Sequence, residues 1–314
     1  MTSFVSLSNS ADWYPQFRQR TVDAYLATGV PPAAAAELAD QLLDLTQEWT
    51  ASAVLDAAGR RVGQVVVGVI DPGGRSMGRI VDLWTEPGQD EHRTAAHAWA
   101  RAWCERHAAS RVAVRLAEPD PEFADYPVRS QLRSKVIGEA ARPADGVTAR
   151  PMTAEEYPHW AAVEQREYAE DIARSGSRTF EDALKQAEQE YRELLPEGLA
   201  TPDNTILVIE SEGVEVGVAW LRHRYLPGVS YLYSVLVHPE HRGRGFGRAA
   251  MAVSEQATVA GGGQALMFNV FGGNDVAMNL YTSTGYLVVE ESRSLDTAPA
   301  AAPAVDADAN QPRS

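Results

Sequence analysis

The chain has 314 residues, 45% of them hydrophobic and 23% charged, and this balance predicts a packed core. The formal net charge of -15 argues against a nucleic-acid partner, which would need a basic patch, and weakly favours a cationic small molecule. Cys104 is the one cysteine, so no intramolecular disulfide can form, and no leader or apolar run of membrane-spanning length is visible. We therefore expect a cytoplasmic protein without membrane contact, with Cys104 as a small core residue.

The first half of the chain predicts two helices, three strands, a helix and a further strand. Glycine-containing turns at 57–59 and 71–74 separate the first three strands. The predicted elements are helices near Tyr14–Thr28 and Pro32–Gln47, strands at Ala51–Asp56, Arg61–Ile70 and Arg79–Thr85, a helix at Glu91–His107 and a strand at Arg111–Leu116.

The second half repeats this order, which indicates an internal duplication of one α/β unit with Pro87 opposite Pro239. Beyond Thr297 the chain is rich in Ala, Pro and Asp and is expected to be a disordered tail. The predicted elements are strand Val147–Arg150, helices Ala154–Ser175 and Phe180–Leu194, strands Thr205–Glu210, Val214–Arg222 and Val229–Val237, a helix from Phe246, strand Ala265–Phe271, helix Asn274–Thr284 and a strand from Tyr286.

One stretch of the second half predicts an anion site. The strand Val229–Val237 closes at Pro239, and the turn Arg-Gly-Arg-Gly-Phe-Gly at Arg242–Gly247 leads into a helix. The first N–H groups of a helix have no partner inside it, and glycines allow a phosphate to approach the backbone. The segment lacks the lysine of a Walker loop, and its spacing does not fit the dinucleotide fingerprint. Taken alone, it could also be a glycine-rich surface turn.

A second segment, residues 274–286, predicts a short helix with Asn274 as its N-cap and Gly285 as its stop. The two segments together resemble the coenzyme A loop and the following helix of the GNAT acyltransferases. The matching positions are Arg242, Gly245 and Gly247, then Asn274, Ala277, Leu280, Tyr281, Gly285 and Tyr286.

This resemblance implies an α/β (α+β) fold of two tandem GNAT-like domains, each a mixed, mostly antiparallel sheet flanked by helices. Residues 1–145 would be a degenerate domain without cofactor, 146–296 an active domain that binds acetyl-CoA, and 297–314 the tail. The pantetheine arm would pair with the backbone of Val235 and Val237 like an added strand. The implied cofactor-binding residues are Val235, Leu236, Val237, Arg242, Gly243, Arg244, Gly245, Phe246, Gly247, Arg248, Asn274 and Tyr281.

The resemblance also implies direct acyl transfer to an amine, with an oxyanion held by a strand N–H. Tyr281 matches the family's general acid, and a phenol of pKa about 10 can protonate a thiolate whose acid has pKa about 8.5. The base is less defined, because Ser234 stands where many relatives carry a carboxylate. We take Tyr281, Glu167 and Ser234 as candidate catalytic residues. Glu167 and Asp171 could hold a cation, and either could relay a proton through water.

An acidic face on the first helix of the second half is a candidate acceptor site, although it could equally be a solvated helix surface. His223 and His238 are more typical of structural or exposed positions. The candidate acceptor-binding residues are Glu164, Glu167, Tyr168, Asp171 and Tyr233.

The first half departs from the motifs. With the two prolines aligned, Arg242 faces Asp90, and an acid at that place would repel a diphosphate. Alignment of the last strands of the two halves puts Pro127 near the position of Tyr281. We therefore expect this half to bind no coenzyme A, to brace the second half and to close one wall of the acceptor site.

The sequence thus predicts a GNAT-family N-acetyltransferase that transfers acetyl from acetyl-CoA to a primary amine of a small molecule in a ternary complex. We expect no metal, no nucleic-acid partner, and a monomer or homodimer. A mycothiol-synthase-like acetyltransferase and a catalytically silent acyl-CoA-binding protein remain the alternatives.

Overall fold

The computed structural model describes residues 1–43, 48–71, 76–174 and 179–297, apart from the side chains of Asp171 and Arg174. The tail from residue 298, most of the turn at 71–74 and the end of the predicted helix 32–47 lie outside these ranges.

Seven α-helices lie in the described residues, and local sequence signals explain where several of them begin. The Thr179 side chain accepts a hydrogen bond from the Asp182 N–H, and the Asn274 side chain accepts one from the Ala277 N–H, so both act as N-caps. The helices are α1 (Tyr14–Ala27), α2 (Pro32–Gln41), α3 (Asp90–Arg106), α4 (Tyr157–Arg174), α5 (Phe180–Leu194), α6 (Phe246–Ala260) and α7 (Asp275–Ser283).

Twelve strands are described, and all belong to one mixed sheet. They are β1 (Ser3–Leu7), β2 (Thr50–Leu55), β3 (Arg61–Ile70), β4 (Met77–Thr85), β5 (Arg111–Leu116), β6 (Val128–Val136), β7 (Val147–Pro151), β8 (Asn204–Ser211), β9 (Val214–Leu226), β10 (Val229–Val237), β11 (Ala265–Phe271) and β12 (Leu287–Asp296). Their spatial order is β1-β2-β3-β4-β5-β12-β6-β11-β10-β9-β8-β7. The pairs β4–β5 and β10–β11 are parallel, and the other pairs are antiparallel.

The two halves exchange their last strands. Strand β6 of the first half lies between β11 and β12, and β12 of the second half lies between β5 and β6. Arg133 on β6 is consequently opposite Phe268 on β11 and Val288 on β12. Each half therefore contributes a strand to the other half's side of the sheet, which the sequence did not predict.

The α/β architecture with two similar halves is confirmed, while the division at residues 145/146 stays a prediction. Strands β1 and β6 were not predicted; both are short or polar runs whose pairing depends on distant partners. Helix α6 packs on the sheet through Ala250, Met251 and Val253, which places its N-terminus just beyond the end of β10.

The alignment of Asp90 with Arg242 is wrong. The connection from β4 to α3 has four residues (86–89), whereas that from β10 to α6 has eight (238–245), so Asp90 begins its helix as Phe246 does. The first half has lost part of the loop rather than changed its charge.

The placement of Pro127 at the position of Tyr281 is also wrong. A three-residue 3-10 turn, Pro121–Phe123, takes the place of α7, and Pro127 directly precedes β6 beside the buried Tyr126.

Cys104 is confirmed as a buried core residue beside Gly78, and burial raises the pKa of its thiol to about 11. Among the described helices, none has the length and apolar character that crossing a membrane requires.

Candidate active site

Strands β10 and β11 pair only at their beginnings and then separate. Their parallel pairing covers Val229–Tyr231 on β10 and Ala265–Met267 on β11, after which β11 pairs with β6 alone. The later part of β10 still pairs with β9 on its other side, including Val235 and Val237. Its edge toward β11 therefore has backbone groups available to an extended ligand.

The glycine loop at the end of β10 presents unpaired backbone N–H groups. The Arg242 N–H bonds Pro239 O, and the Arg248 N–H bonds Gly245 O. Between these two residues, no backbone N–H of the described structure bonds a backbone acceptor. Gly243 and Gly245 have φ of +75° and +88°, and a Cβ on either would meet no atom within 4 Å. This concave stretch of backbone at a helix N-terminus fits a phosphate group.

Three exposed arginines surround the loop: Arg242, Arg244 and Arg248. Arg242 Nε bonds Val237 O at 3.0 Å, the Arg244 guanidinium lies 5.3 Å from the Phe246 ring centre, and Arg248 reaches Ser283 Oγ at 3.5 Å. Within the described part of the chain none of the three pairs with a carboxylate, although the protein as a whole is strongly acidic. Their charge is therefore available to an anionic ligand.

A cavity of about 910 Å³ opens where β10 and β11 separate. It brings together Glu164, Glu167, Tyr168, Tyr233, Ser234, Val235, Leu236, Asn274 and Tyr281 from the sequence-predicted set. The side chain of Asp171 lies outside the described residues. Val237 and Arg242–Arg248 are not in its wall; they follow along the same strand toward the loop.

Glu164 is the buried carboxylate of this cavity, with 7% of its surface exposed. Ser234 Oγ donates to its Oε1 at 2.8 Å, and Tyr191 Oη donates to its Oε2 at 3.3 Å. Burial raises the pKa of Glu164 and the Glu167 carboxylate adds to this rise, whereas the bonds from Ser234 and Tyr191 oppose it. Among the described residues its donors are neutral, so it is a carboxylate with an enhanced affinity for a proton.

Tyr281 lies on α7 with its ring packed 4.3 Å from that of Phe268. The residue is 7% exposed and lines the cavity, and its hydroxyl makes no hydrogen bond to another described residue. Burial raises the pKa of Tyr281, and the nearby Arg133 guanidinium opposes this rise. The phenol is therefore protonated at neutral pH and turned toward the cavity.

Three further tyrosines, Tyr168, Tyr191 and Tyr233, line the cavity and pack against other aromatic rings. Tyr233 stacks on Trp220 at 4.6 Å and meets Tyr231 edge-on at 5.0 Å, while Tyr168 and Tyr191 face each other at 6.5 Å. Burial and a hydrogen bond to Glu190 raise the pKa of Tyr168 to about 12. Together with Glu164 and Glu167, these rings suit an organic cation.

His223 and His238 lie outside the cavity. His223 bonds Thr205 Oγ1 at 2.9 Å and Ser230 Oγ at 3.2 Å, and His238 bonds Glu215 at 2.9 Å; neither lines the cavity. Sequence reasoning missed Tyr191, and it also missed Arg129, which comes from β6 of the first half to line the cavity. The alternation of small or apolar with polar residues along 128–136 was a usable signal for that strand.

The comparisons with known proteins concern mainly the second half. A family model described as "Acetyltransferase (GNAT) family" matches residues 166–286. The chain is 30% identical over 139 residues to the uncharacterized N-acetyltransferase YycN of Bacillus subtilis, a match that covers 43% of this chain and 89% of that protein.

Two further comparisons extend this picture. A mycothiol acetyltransferase of Kytococcus sedentarius is 29% identical over 143 residues, covering 45% of this chain and 46% of that protein. The crystal structure of a GCN5-related N-acetyltransferase from Sphaerobacter thermophilus covers 93% of this chain and 95% of its own, with a TM-score of 0.55 and 18% identity. That similarity covers nearly the whole chain, so both halves of this chain lie within the fold of that protein.

Proposed function

The chain belongs to the GNAT family of N-acetyltransferases, and we propose that its second half transfers an acetyl group from acetyl-CoA to a primary amine of a small molecule. The observation that carries this proposal is on strand β10. The strand holds the Ser234–Glu164 pair at the cavity and continues into the glycine loop at the start of α6. Both ends of an extended acyl-CoA would thus meet suitable groups.

The residues present fit coenzyme A. The free N–H groups of residues 243–247 and the three loop arginines would hold the diphosphate, and Val235 and Val237 would pair with the pantetheine arm. Bound acetyl-CoA supplies the thioester carbonyl. A backbone N–H on the free edge of β10 is placed to stabilise the negative charge that develops on the carbonyl oxygen.

Glu164, rather than Glu167, is the residue we assign as general base. An alkylammonium has a pKa of about 10, so a buried carboxylate with a raised pKa takes its proton more readily than an ordinary one. Ser234 positions one oxygen of that carboxylate. Glu167 lies exposed at the cavity wall, where its charge attracts a cationic acceptor.

Tyr281 is the residue we assign as general acid. Glu164 first takes one proton from the bound ammonium, which leaves a neutral amine. As the amine nitrogen bonds the acetyl carbon and the carbon–sulfur bond breaks, Tyr281 gives its proton to the departing sulfur, which leaves a free thiol. The second nitrogen proton returns to the Tyr281 phenolate, and Glu164 releases its proton to solvent. The Tyr281 hydroxyl has no competing partner among the described residues, so it can make this contact.

The acceptor class follows from the wall of the cavity. Glu164 and Glu167 favour a positive charge, and Tyr168 and Tyr233 offer ring faces to it. We propose a small cationic amine, with no nucleic-acid or membrane partner and a monomeric or homodimeric protein acting in the cytoplasm.

A second candidate acceptor is a cysteinyl sugar of the mycothiol type, which the similarity to the mycothiol acetyltransferase favours. Calorimetry with acetyl-CoA, followed by thiol release with a panel of amines and a cysteinyl glycoside, separates these possibilities. We expect binding, and release that depends on a cationic amine. Binding without release on any acceptor would support a silent acyl-CoA-binding protein, and a lack of binding would refute the proposal.

A further inference from the structure

A buried arginine from the first half lies beneath α7 of the active half. Arg133 on β6 is 4% exposed, and its Nη1 bonds Thr282 Oγ1 at 2.8 Å, one residue after Tyr281. It is directly opposite Phe268, the residue whose ring packs on Tyr281. Cross-strand neighbours point to the same face of a sheet, so the guanidinium and the phenol share one buried environment.

Among the described residues, a second arginine, Arg293, is held in the same way as Arg133. Arg133 bonds Tyr286 O at 3.5 Å through Nη1, and Arg293 bonds Tyr126 O at 3.0 Å through Nη1. Tyr286 and Tyr126 are both almost fully buried. Each arginine also folds back onto the side chain two residues before it on its own strand. The exchange of β6 and β12 thus gives each half an arginine from the other.

The two arginines differ in the charge of that partner. Arg133 donates through Nε and Nη2 to the neutral amide of Gln131, at 2.9 and 2.6 Å. Arg293 donates through Nε and Nη2 to the carboxylate of Glu291, at 2.8 and 2.7 Å. Gln131 in turn donates to Glu291 at 2.5 Å. Within the described part of the chain, therefore, a carboxylate neutralises Arg293 directly and Arg133 only through Gln131.

We propose that Arg133 is a positioning residue of the acetyl transfer: its positive charge, which no described carboxylate contacts directly, makes Tyr281 a stronger acid, and its hydrogen bond to Thr282 holds α7. The proposal rests on the proposed role of Tyr281. A buried positive charge stabilises a phenolate and so favours proton release. The first half has no tyrosine helix at the corresponding place, and there the arginine is neutralised.

Other charged groups around Tyr281 are paired, exposed or across the cavity, and the exposed Arg129, which also lines the cavity, bonds Ser294 through Nε and Nη2. Lys135 pairs with Glu255 at 2.7 Å, and Tyr286 Oη also bonds that carboxylate. Glu164 lies across the cavity, Arg248 is exposed on α6, and Asp275 is exposed at the start of α7. Arg133 is the group that shares the buried side of Tyr281.

The decisive experiment exchanges the two partners in the double variant Gln131→Glu, Glu291→Gln. This exchange keeps the net charge, the side-chain shapes and an amide–carboxylate contact, but moves the neutralising carboxylate from Arg293 to Arg133. 3,5-Difluorotyrosine at position 281, followed by fluorine NMR, reports the phenol pKa in a range where the protein stays folded. We expect a pKa higher by about one unit and a turnover lower by about tenfold.

The single variant Glu291→Gln is the matched control, because it leaves Arg133 with its neutral partner and removes the carboxylate that acts on it through Gln131. The Tyr281 pKa should then stay at or below the wild-type value, and turnover should not fall. An unchanged Tyr281 pKa in the double variant overturns the proposal. A raised Tyr281 pKa with unchanged turnover would support the effect of Arg133 on Tyr281 but refute Tyr281 as the general acid. The experiment thus distinguishes failure of the Arg133 proposal from failure of the proposed role of Tyr281.

Discussion

Ser234 Oγ donates a hydrogen bond of 2.8 Å to Glu164 Oε1, and this contact joins the middle of β10 to helix α4. In the first half the corresponding strand carries the carboxylate and the corresponding helix carries the hydroxyl. With Pro87 opposite Pro239, Asp82 on β4 corresponds to Ser234, and with the Tyr-Pro pairs of α1 and α4 aligned, Thr21 corresponds to Glu164. Asp82 is bound by Arg20 at 2.7 Å, whereas Glu164 has neutral donors. The half that has the glycine loop is thus the one whose carboxylate is not occupied by a cation.

Removing the carboxylate of Glu164 should stop catalysis without loss of cofactor. In Glu164→Gln, whose shape is nearly that of wild type, kcat should fall by about 10² to 10⁴ because the amine loses its proton acceptor. Calorimetry should give an unchanged affinity for coenzyme A. Glu167→Gln is the comparison variant, and it should mainly raise KM for a cationic acceptor. If Glu167→Gln lost kcat and Glu164→Gln did not, the base would be Glu167.

Substitutions of two neighbours of Glu164 should shift the pH profile of kcat/KM in opposite directions. A base acts deprotonated, so kcat/KM should rise with pH through the Glu164 pKa, which burial raises above the ordinary value of about 4.3. Ser234→Ala removes a hydrogen bond that favours the charged form, so the rise should move to higher pH. Glu167→Gln removes a like charge and should move it to lower pH. Profiles that shift in the same direction would contradict the assignment.

The sequence predicted the fold, the glycine loop before α6 and the helix bearing Tyr281, because each depends on local residue types in a fixed order. It could not rank Glu164 above Glu167, since both lie on one helix face and the contact to Ser234 depends on how α4 packs over β10. Strand β6 was missed although its alternation is visible, because the residues that it buries are the polar Arg133 and Gln131, at 4% and 6% exposure. Their burial follows from pairing with β11 and β12, which no local pattern shows.

The hydroxyl of Tyr281 should matter for turnover and little for folding. In Tyr281→Phe the leaving sulfur loses its proton donor, so kcat should fall by about 10² with coenzyme A affinity retained. Tyr286→Phe is the matched control, because that buried hydroxyl bonds Glu255 at 3.1 Å and its loss should cost about 1 kcal/mol of stability without affecting kcat. Steady-state kinetics and thermal melts check both. Equal kcat in Tyr281→Phe and wild type would exclude Tyr281 as the acid.

A negatively charged side chain in the glycine loop should abolish binding of coenzyme A. Gly245→Asp places a carboxylate at the helix N-terminus that the diphosphate needs, so binding of coenzyme A should be lost in calorimetry. Gly213 in the β8–β9 turn offers a control, because its φ of +78° and open surroundings match the +88° and open space of Gly245. Gly245→Asp and the control Gly213→Asp should each cost about 1–2 kcal/mol of backbone strain. Normal binding by Gly245→Asp would refute the loop assignment.

The exchange of strands β6 and β12 should hold the two halves together after the chain is cut. Residues 144–146 are exposed and follow β6, so a protease site placed there can be cleaved in the folded protein. Because β6 pairs with β11 and β12, and β12 pairs with β5, separation would break three antiparallel strand pairs. We expect the two fragments to co-elute in size-exclusion chromatography, to keep acetyl-CoA binding, and to separate only in denaturant. Fragments that separate in native buffer would show that each half completes its own sheet and would also remove Arg133 from the active half.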